Sequence, residues 1–115
     1  MAQENEFVDH LLELLKSMGS VNARRMFGGY GVYHDGLMFG LVANNTLYIK
    51  TDEQNRSEFE ALGLGPFEYD KKGKIMKIAY YEAPAEALES PLEMLKWAES
   101  GYRAALRGQK KKASK

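Results

Sequence analysis

Asp35-Gly36 stands between two runs of aliphatic and aromatic residues, 24–34 and 37–43, and it constrains the fold more than any other short feature. Asp-Gly is a favoured two-residue hairpin turn, because both central positions of that turn need positive φ. Such a turn fixes register. His34 is expected opposite Leu37, Val32 opposite Phe39 and Tyr30 opposite Leu41. Alternation then gathers Met26, Tyr30, Val32, Leu37, Phe39 and Leu41 on one face, the expected core side. A third strand-like run, 46–50, follows Asn44-Asn45. A three-residue loop, Asn44-Asn45-Thr46 with an asparagine at positive φ, keeps Leu47 and Ile49 on the core side. A two-residue loop throws them outward and sets Tyr48 against Leu41. Periodicity therefore favours the longer loop.

The opposite face receives Arg25, Phe27, Gly29, Gly31, Tyr33, Met38, Gly40, Val42, Tyr48 and Lys50. Glycine weakens a strand, so Gly29, Gly31 and Gly40 together require a reason. Two are open. The glycines form a bare trough, walled by Phe27, Tyr33, Met38 and Tyr48, that admits a partner, with Arg25 placed to receive its carboxylate or phosphate. Alternatively, aromatic side chains fold over a strongly curved sheet with a bulge near Gly28-Gly29. Gly28-Gly29-Tyr30-Gly31 lacks dinucleotide-binding spacing and opens no helix. The expected partner-binding set is Arg25, Phe27, Gly29, Gly31, Tyr33, Met38, Gly40 and Tyr48.

Around these strands the chain reads as helix, hairpins and helix. Phe7, Val8, Leu11, Leu12, Leu14, Leu15 and Met18 recur at helical spacing and stop at Gly19. Thr51-Asp52-Glu53-Gln54 resembles a capping box opening a short helix through Phe59 and Leu62, closed by Gly63. Runs 66–69 and 75–81 form a second hairpin. Ser90-Pro91-Leu92-Glu93 combines an N-cap, proline at the first helical position and a box-closing glutamate. The expected fold is α+β, a two-layer α/β sandwich with an antiparallel sheet in the order α-β-β-β-α-β-β-α. Gly108 is the expected stop of the last helix, dividing a domain at 1–107 from a disordered basic tail at 108–115.

Charge is distributed unevenly. Residues 1–102 carry ten Lys and Arg against sixteen Asp and Glu, whereas residues 103–115 carry six cations and no acid. Arg107, Lys110, Lys111 and Lys112 are the candidate nucleic-acid contacts, of salt-sensitive and sequence-independent kind. The acidic body opposes a polyanion elsewhere. The chain has no cysteine, which removes disulfides, thiolate nucleophiles and thiolate metal sites. His10 and His34 lie in no HExxH, GxSxG or P-loop context. Catalysis, a metal site and a cofactor are not expected. The N-terminal sequence lacks the pattern of a signal peptide, and no run is long enough to span a membrane, so a cytoplasmic location is expected.

The segments RRMFGGYGVYHDGLMFGLV and LYIKTD, with Phe59-Glu60-Ala61, Pro66-Phe67-Glu68-Tyr69, Tyr80-Tyr81 and Trp97-Ala98, resemble the N-terminal domain of the TfoX/Sxy competence-regulator family over about residues 5–107. The resemblance implies a two-layer fold with an antiparallel sheet. It also implies a link to transcriptional control of DNA-uptake genes, in which longer members act with a cyclic-AMP-dependent activator. Those members carry a second, helical domain where this chain reads RGQKKKASK. The resemblance supplies no catalytic residues. It supports a regulatory module that binds a protein of the transcription machinery, with weak nucleic-acid binding through the tail as the alternative.

Overall fold

Gly28 decides the shape of the N-terminal half. The computed structural model describes residues 6–26 and 28–113, with the side chains of 111–113 outside the description. The run 24–34, expected as one strand, is two: β1 (Val21–Met26) and β2 (Gly29–His34) pair antiparallel, with Met26 opposite Gly29. Two residues join them, and Gly28 has φ +79°, a backbone state that glycine adopts without Cβ strain. This reversal breaks the alternation counted across 24–34. Arg24 opposes Gly31 and shares its face, while Arg25 opposes Tyr30 on the other.

The next hairpin joins β2 to β3 (Leu37–Ala43) through Asp35-Gly36 with both residues at positive φ, as expected. Its register then slips. Tyr33 opposes Met38, but Val32 opposes Gly40, so Phe39 is an extra residue in a β-bulge. Beyond the bulge every β3 side chain changes face. Val42 is buried in the core and Leu41 lies on the outer face, the reverse of the sequence expectation. The loop to β4 (Thr46–Lys50) is also shorter than expected. Asn44 and Asn45, at φ 52° and 55°, make a two-residue turn that sets Leu41 against Tyr48. The two departures cancel, and Leu47 and Ile49 still face the core.

Asp52, not Thr51, organises the turn after β4. Its Oδ1 accepts hydrogen bonds from the N–H groups of Gln54 and Asn55 at 3.0 and 3.3 Å, ahead of the short helix α2 (Arg56–Glu60). Gly63, at φ +78°, donates its N–H to the Glu60 carbonyl after that helix. Then β5 (Pro66–Lys71) and β6 (Lys74–Glu82) form a hairpin around Lys72-Gly73. The six strands lie in the order β1-β2-β3-β4-β6-β5.

Helices cover one side of this sheet. Helix α1 (Glu6–Leu14) buries Val8, Leu11 and Leu14, and a 3-10 turn, 16–18, carries the chain to Gly19. Helix α3 (Pro91–Ala113) starts as expected, with Ser90 Oγ accepting the Glu93 N–H at 3.4 Å. It crosses β3 and β4 with Met94, Trp97, Ala98 and Ala105 turned inward. Phe59 of α2 completes the core at 0% exposure, its ring 5.0 Å from that of Trp97. The α+β class, the two layers and the antiparallel sheet are as expected. Gly108 does not end α3, which runs through it to Ala113.

Candidate functional site

One face of the sheet carries the helices; the other is covered by no helix among the described residues. Strand alternation assigns its side chains. Ile49 is buried beneath α3, so Tyr48 and Lys50 point outward, with Leu41 beside Tyr48. Tyr80 and Glu82 oppose Lys50 and Tyr48. Phe67 reaches Tyr48 edge-on, with ring centroids 5.1 Å apart, and stacks against Tyr69 at 6.2 Å. At the other end lie Arg24, Tyr33, Met26 and Met38. The Arg24 guanidinium sits 4.7 Å from the centre of the Tyr33 ring, and Lys50 Nζ sits 5.3 Å from that of Tyr80. Such cation–π contacts contribute about 0.5–1 kcal/mol at exposed sites.

The phenols register this partly dry surface. Burial, followed by the neighbouring Tyr33, pushes Tyr80 up to about 12 from its ordinary value. Tyr48 is also raised, chiefly by burial and then by Glu82. Both hydroxyls are therefore neutral at physiological pH. An antiparallel sheet with one solvated face ordinarily shows polar residues there. This face instead shows aromatics and methionines.

The expected trough is not bare. A Cβ at Gly31 would meet Met26 Sδ at 2.8 Å, Tyr33 Cε1 at 3.0 Å and Met38 Sδ at 3.2 Å, so these side chains roof the glycine. Gly40 lies on the helix side because of the bulge, where a Cβ would stand 3.2 Å from Val32 Cβ. At Gly29 a Cβ would overlap the Val42 carbonyl oxygen. Gly31, Tyr33, Met38 and Tyr48 thus share the outer face. Arg25 is placed with Tyr30 instead, and Arg24 takes the position expected of it. Phe27 lies outside the described residues. The missed members are Arg24, Met26, Phe67, Tyr69 and Tyr80. Phe67, Tyr69 and Tyr80 had a sequence signal, since alternation in the second hairpin puts them on a common face once its pairing to β4 is known.

The basic set divides too. Arg107 donates Nε and Nη2 hydrogen bonds to Asp52 at 2.6 and 2.8 Å, a bidentate pair linking α3 to the turn after β4. The Arg107 hydrogen bond is the main reason the Asp52 carboxyl falls from 3.8 to about 2, and that of Asp52 raises Arg107 in turn. Arg107 is thereby engaged within the fold. Lys110 follows it on α3, and the side chains of Lys111 and Lys112 lie outside the described residues. Because the folded pKa of Asp52 is depressed, its contribution is complete above about pH 4 and fades as pH falls toward 2. Asp52→Asn should therefore cost about 1–3 kcal/mol at neutral pH. Urea titrations from pH 7 to pH 2 should show the two proteins converging at the acid end.

Among the described residues no group of three or more His, Asp or Glu is arranged to hold a metal ion. No helix there is long and apolar enough to cross a membrane. His34 is tied into the scaffold: its Nδ1 lies 2.8 Å from the Ser20 carbonyl and its ring meets Tyr102 edge-on at 4.8 Å.

Residues 13–105 match the family described as the TfoX N-terminal domain. The chain belongs to that family. It is 30% identical over 87 residues to the DNA transformation protein TfoX1 of Aliivibrio fischeri, a match covering 76% of this chain and 42% of that protein. It is 26% identical over 87 residues to the DNA transformation protein TfoX of Haemophilus influenzae, covering 74% and 40% respectively. The chain thus spans about two-fifths of the length of these TfoX relatives.

Proposed function

We propose that this TfoX N-terminal domain is a non-enzymatic, cytoplasmic regulatory module that binds a protein of the transcription machinery through the outer sheet face. One observation carries the reading. The described helices cover only one face of the sheet. Aromatic and methionine side chains, enriched at interfaces and depleted on solvated surfaces, occupy the other. The names of the two relatives connect the family to DNA transformation. On this reading the contact set is Tyr33, Met38 and Tyr48 with Arg24, Phe67, Tyr69 and Tyr80, the first two lying over Gly31. The tail alternative has less support, because Arg107 is held by Asp52.

Hydrogen exchange of the chain mixed with the purified cyclic-AMP-dependent activator and RNA polymerase tests the proposal. Protection across residues 30–50 and 76–82 is expected. Protection confined to residues 103–112, and only with DNA present, would replace it with the tail reading. Gly31→Val gives a second check. Its new methyls push against the thioethers of Met26 and Met38 and the ring of Tyr33 rather than against backbone. Stability should fall by about 1–3 kcal/mol, with strand propensity offsetting part of the crowding. Partner protection should fall sharply, and a thermal melt alongside separates the two effects.

A further inference from the structure

The charges on the outer face differ from those of the body. Register places Arg24, Lys50, Lys71 and Lys74 on this face: the first two lie over aromatic rings, and Lys71 and Lys74 oppose each other at the end of the β5–β6 hairpin. Glu82, opposite Tyr48, is the one carboxylate that alternation assigns there among the described residues. Residues 1–102 as a whole carry six more acids than cations, so the acids are concentrated on the helix layer, the turns and the reverse of the hairpin. Glu6, Asp9 and Glu13 on α1 illustrate the contrast. A cationic, methionine-rich and aromatic face lies on the back of an acidic body, residues 1–102.

Resting on the proposed docking function, we infer that the outer face receives an acidic polypeptide segment carrying apolar side chains. Its carboxylates meet Arg24 and Lys50 on one part of the face and Lys71 and Lys74 on another. Its apolar groups lie on Met26, Met38, Met76 and the intervening rings. A single-stranded nucleic acid fits less well, because base stacking needs free ring faces. Here Arg24 lies over Tyr33, Lys50 lies over Tyr80, and Phe67 and Tyr69 stack on each other. Methionines, by contrast, repack readily around varied peptide side chains.

Methyl NMR of the methionine-labelled full chain provides the test, since Met26, Met38 and Met76 report the face and Met94, at 0% exposure, reports the core. Three probes are used: a short synthetic peptide of Leu, Phe and Glu, its counterpart with Lys for Glu, and oligothymidylate. The acidic peptide should shift the three surface methyls and leave Met94 unmoved, with affinity falling as salt rises. Arg24→Glu with Lys50→Glu should weaken it about tenfold or more, and Arg24→Gln with Lys50→Gln should weaken it less. Unchanged Met94 shifts verify that both variants are folded. Equal binding of the lysine peptide at the same methyls would overturn the acidic partner while leaving a docking face. Displacement by oligothymidylate would replace the protein partner with nucleic acid. Shifts that grow with protein concentration alone would make a second copy the occupant. Silence of the three methyls toward every probe would overturn the docking face itself.

Discussion

Asn55→Asp should destabilise the protein by about 3 kcal/mol or more, a large share of the roughly 5–15 kcal/mol that holds a domain together. Asn55 is 4% exposed, and its amide joins three elements. Its Nδ2 donates to the carbonyl of Lys50 at the end of β4, and to the carbonyl and hydroxyl of Ser100 on α3 at 3.3 and 3.0 Å. Its Oδ1 accepts the Asp52 N–H at 2.8 Å. Aspartate keeps the acceptor but turns an oxygen toward two carbonyl oxygens that repel it, and buries a charge. Ser100→Ala removes only one acceptor and should cost about 1 kcal/mol. Parallel urea titrations of the two variants would separate these sizes. Equal, small effects would mean that the junction of β4, α2 and α3 is not held by this amide.

Gly101 should prove the least replaceable residue of α3. A Cβ there would overlap Ile49 Cγ2 and stand 3.2 Å from the Phe39 carbonyl oxygen and 3.4 Å from the Lys50 nitrogen. Ile49 is fully buried and the other two atoms are backbone, so nothing flexible can give way. Alanine has the better helix propensity by about 1 kcal/mol, yet the overlap should leave Gly101→Ala destabilised by about 1–3 kcal/mol. Gly101→Leu should prevent folding. Gly108, on the same helix, has nothing within 4 Å of its Cβ position. Gly108→Ala should therefore raise stability by up to about 1 kcal/mol where α3 is firmly helical at that point, and by nothing where it frays. Thermal unfolding of the pair thus measures both the tightest contact of the helix and the firmness of its end.

Much of this architecture was legible because it follows from local rules. The Asp35-Gly36 turn, the Ser90 cap and the apolar spacing of α1 each depend on neighbouring residues. Leu47 and Ile49 were also placed on the correct face, but through two compensating errors. The bulge at Phe39 leaves no mark in the β3 pattern, since Leu41 and Val42 are both apolar and either can turn inward. The reversal at Gly28 was hidden similarly, because aromatic and glycine residues continue across it. That hidden turn exchanged the sides of Arg24 and Arg25. The roles of Asn55 and Gly101 depend on contacts with elements distant in sequence, and no local pattern reveals them. For the outer face, alternation supplied Gly31, Tyr33, Met38 and Tyr48. Phe67 and Tyr69 joined it only after β6 was seen to lie between β4 and β5.

The bulge at Phe39 and the two-residue turn at Asn44-Asn45 have a consequence for how sequences of this fold can change in length. Removing Gly40 would bring Phe39 opposite Val32 and close the bulge, leaving Leu41 opposite Gly31 and Val42 opposite Tyr30. One residue added at Asn44-Asn45 fits a three-residue loop that keeps Ala43 opposite Thr46. Each change is absorbed where it falls, and Leu47 and Ile49 stay on the helix side in both cases. The two hairpins are therefore places where the chain can gain or lose a residue without turning its core outward. Sequences that differ in this way share a core, although a residue-by-residue comparison beyond the change runs one place out of step.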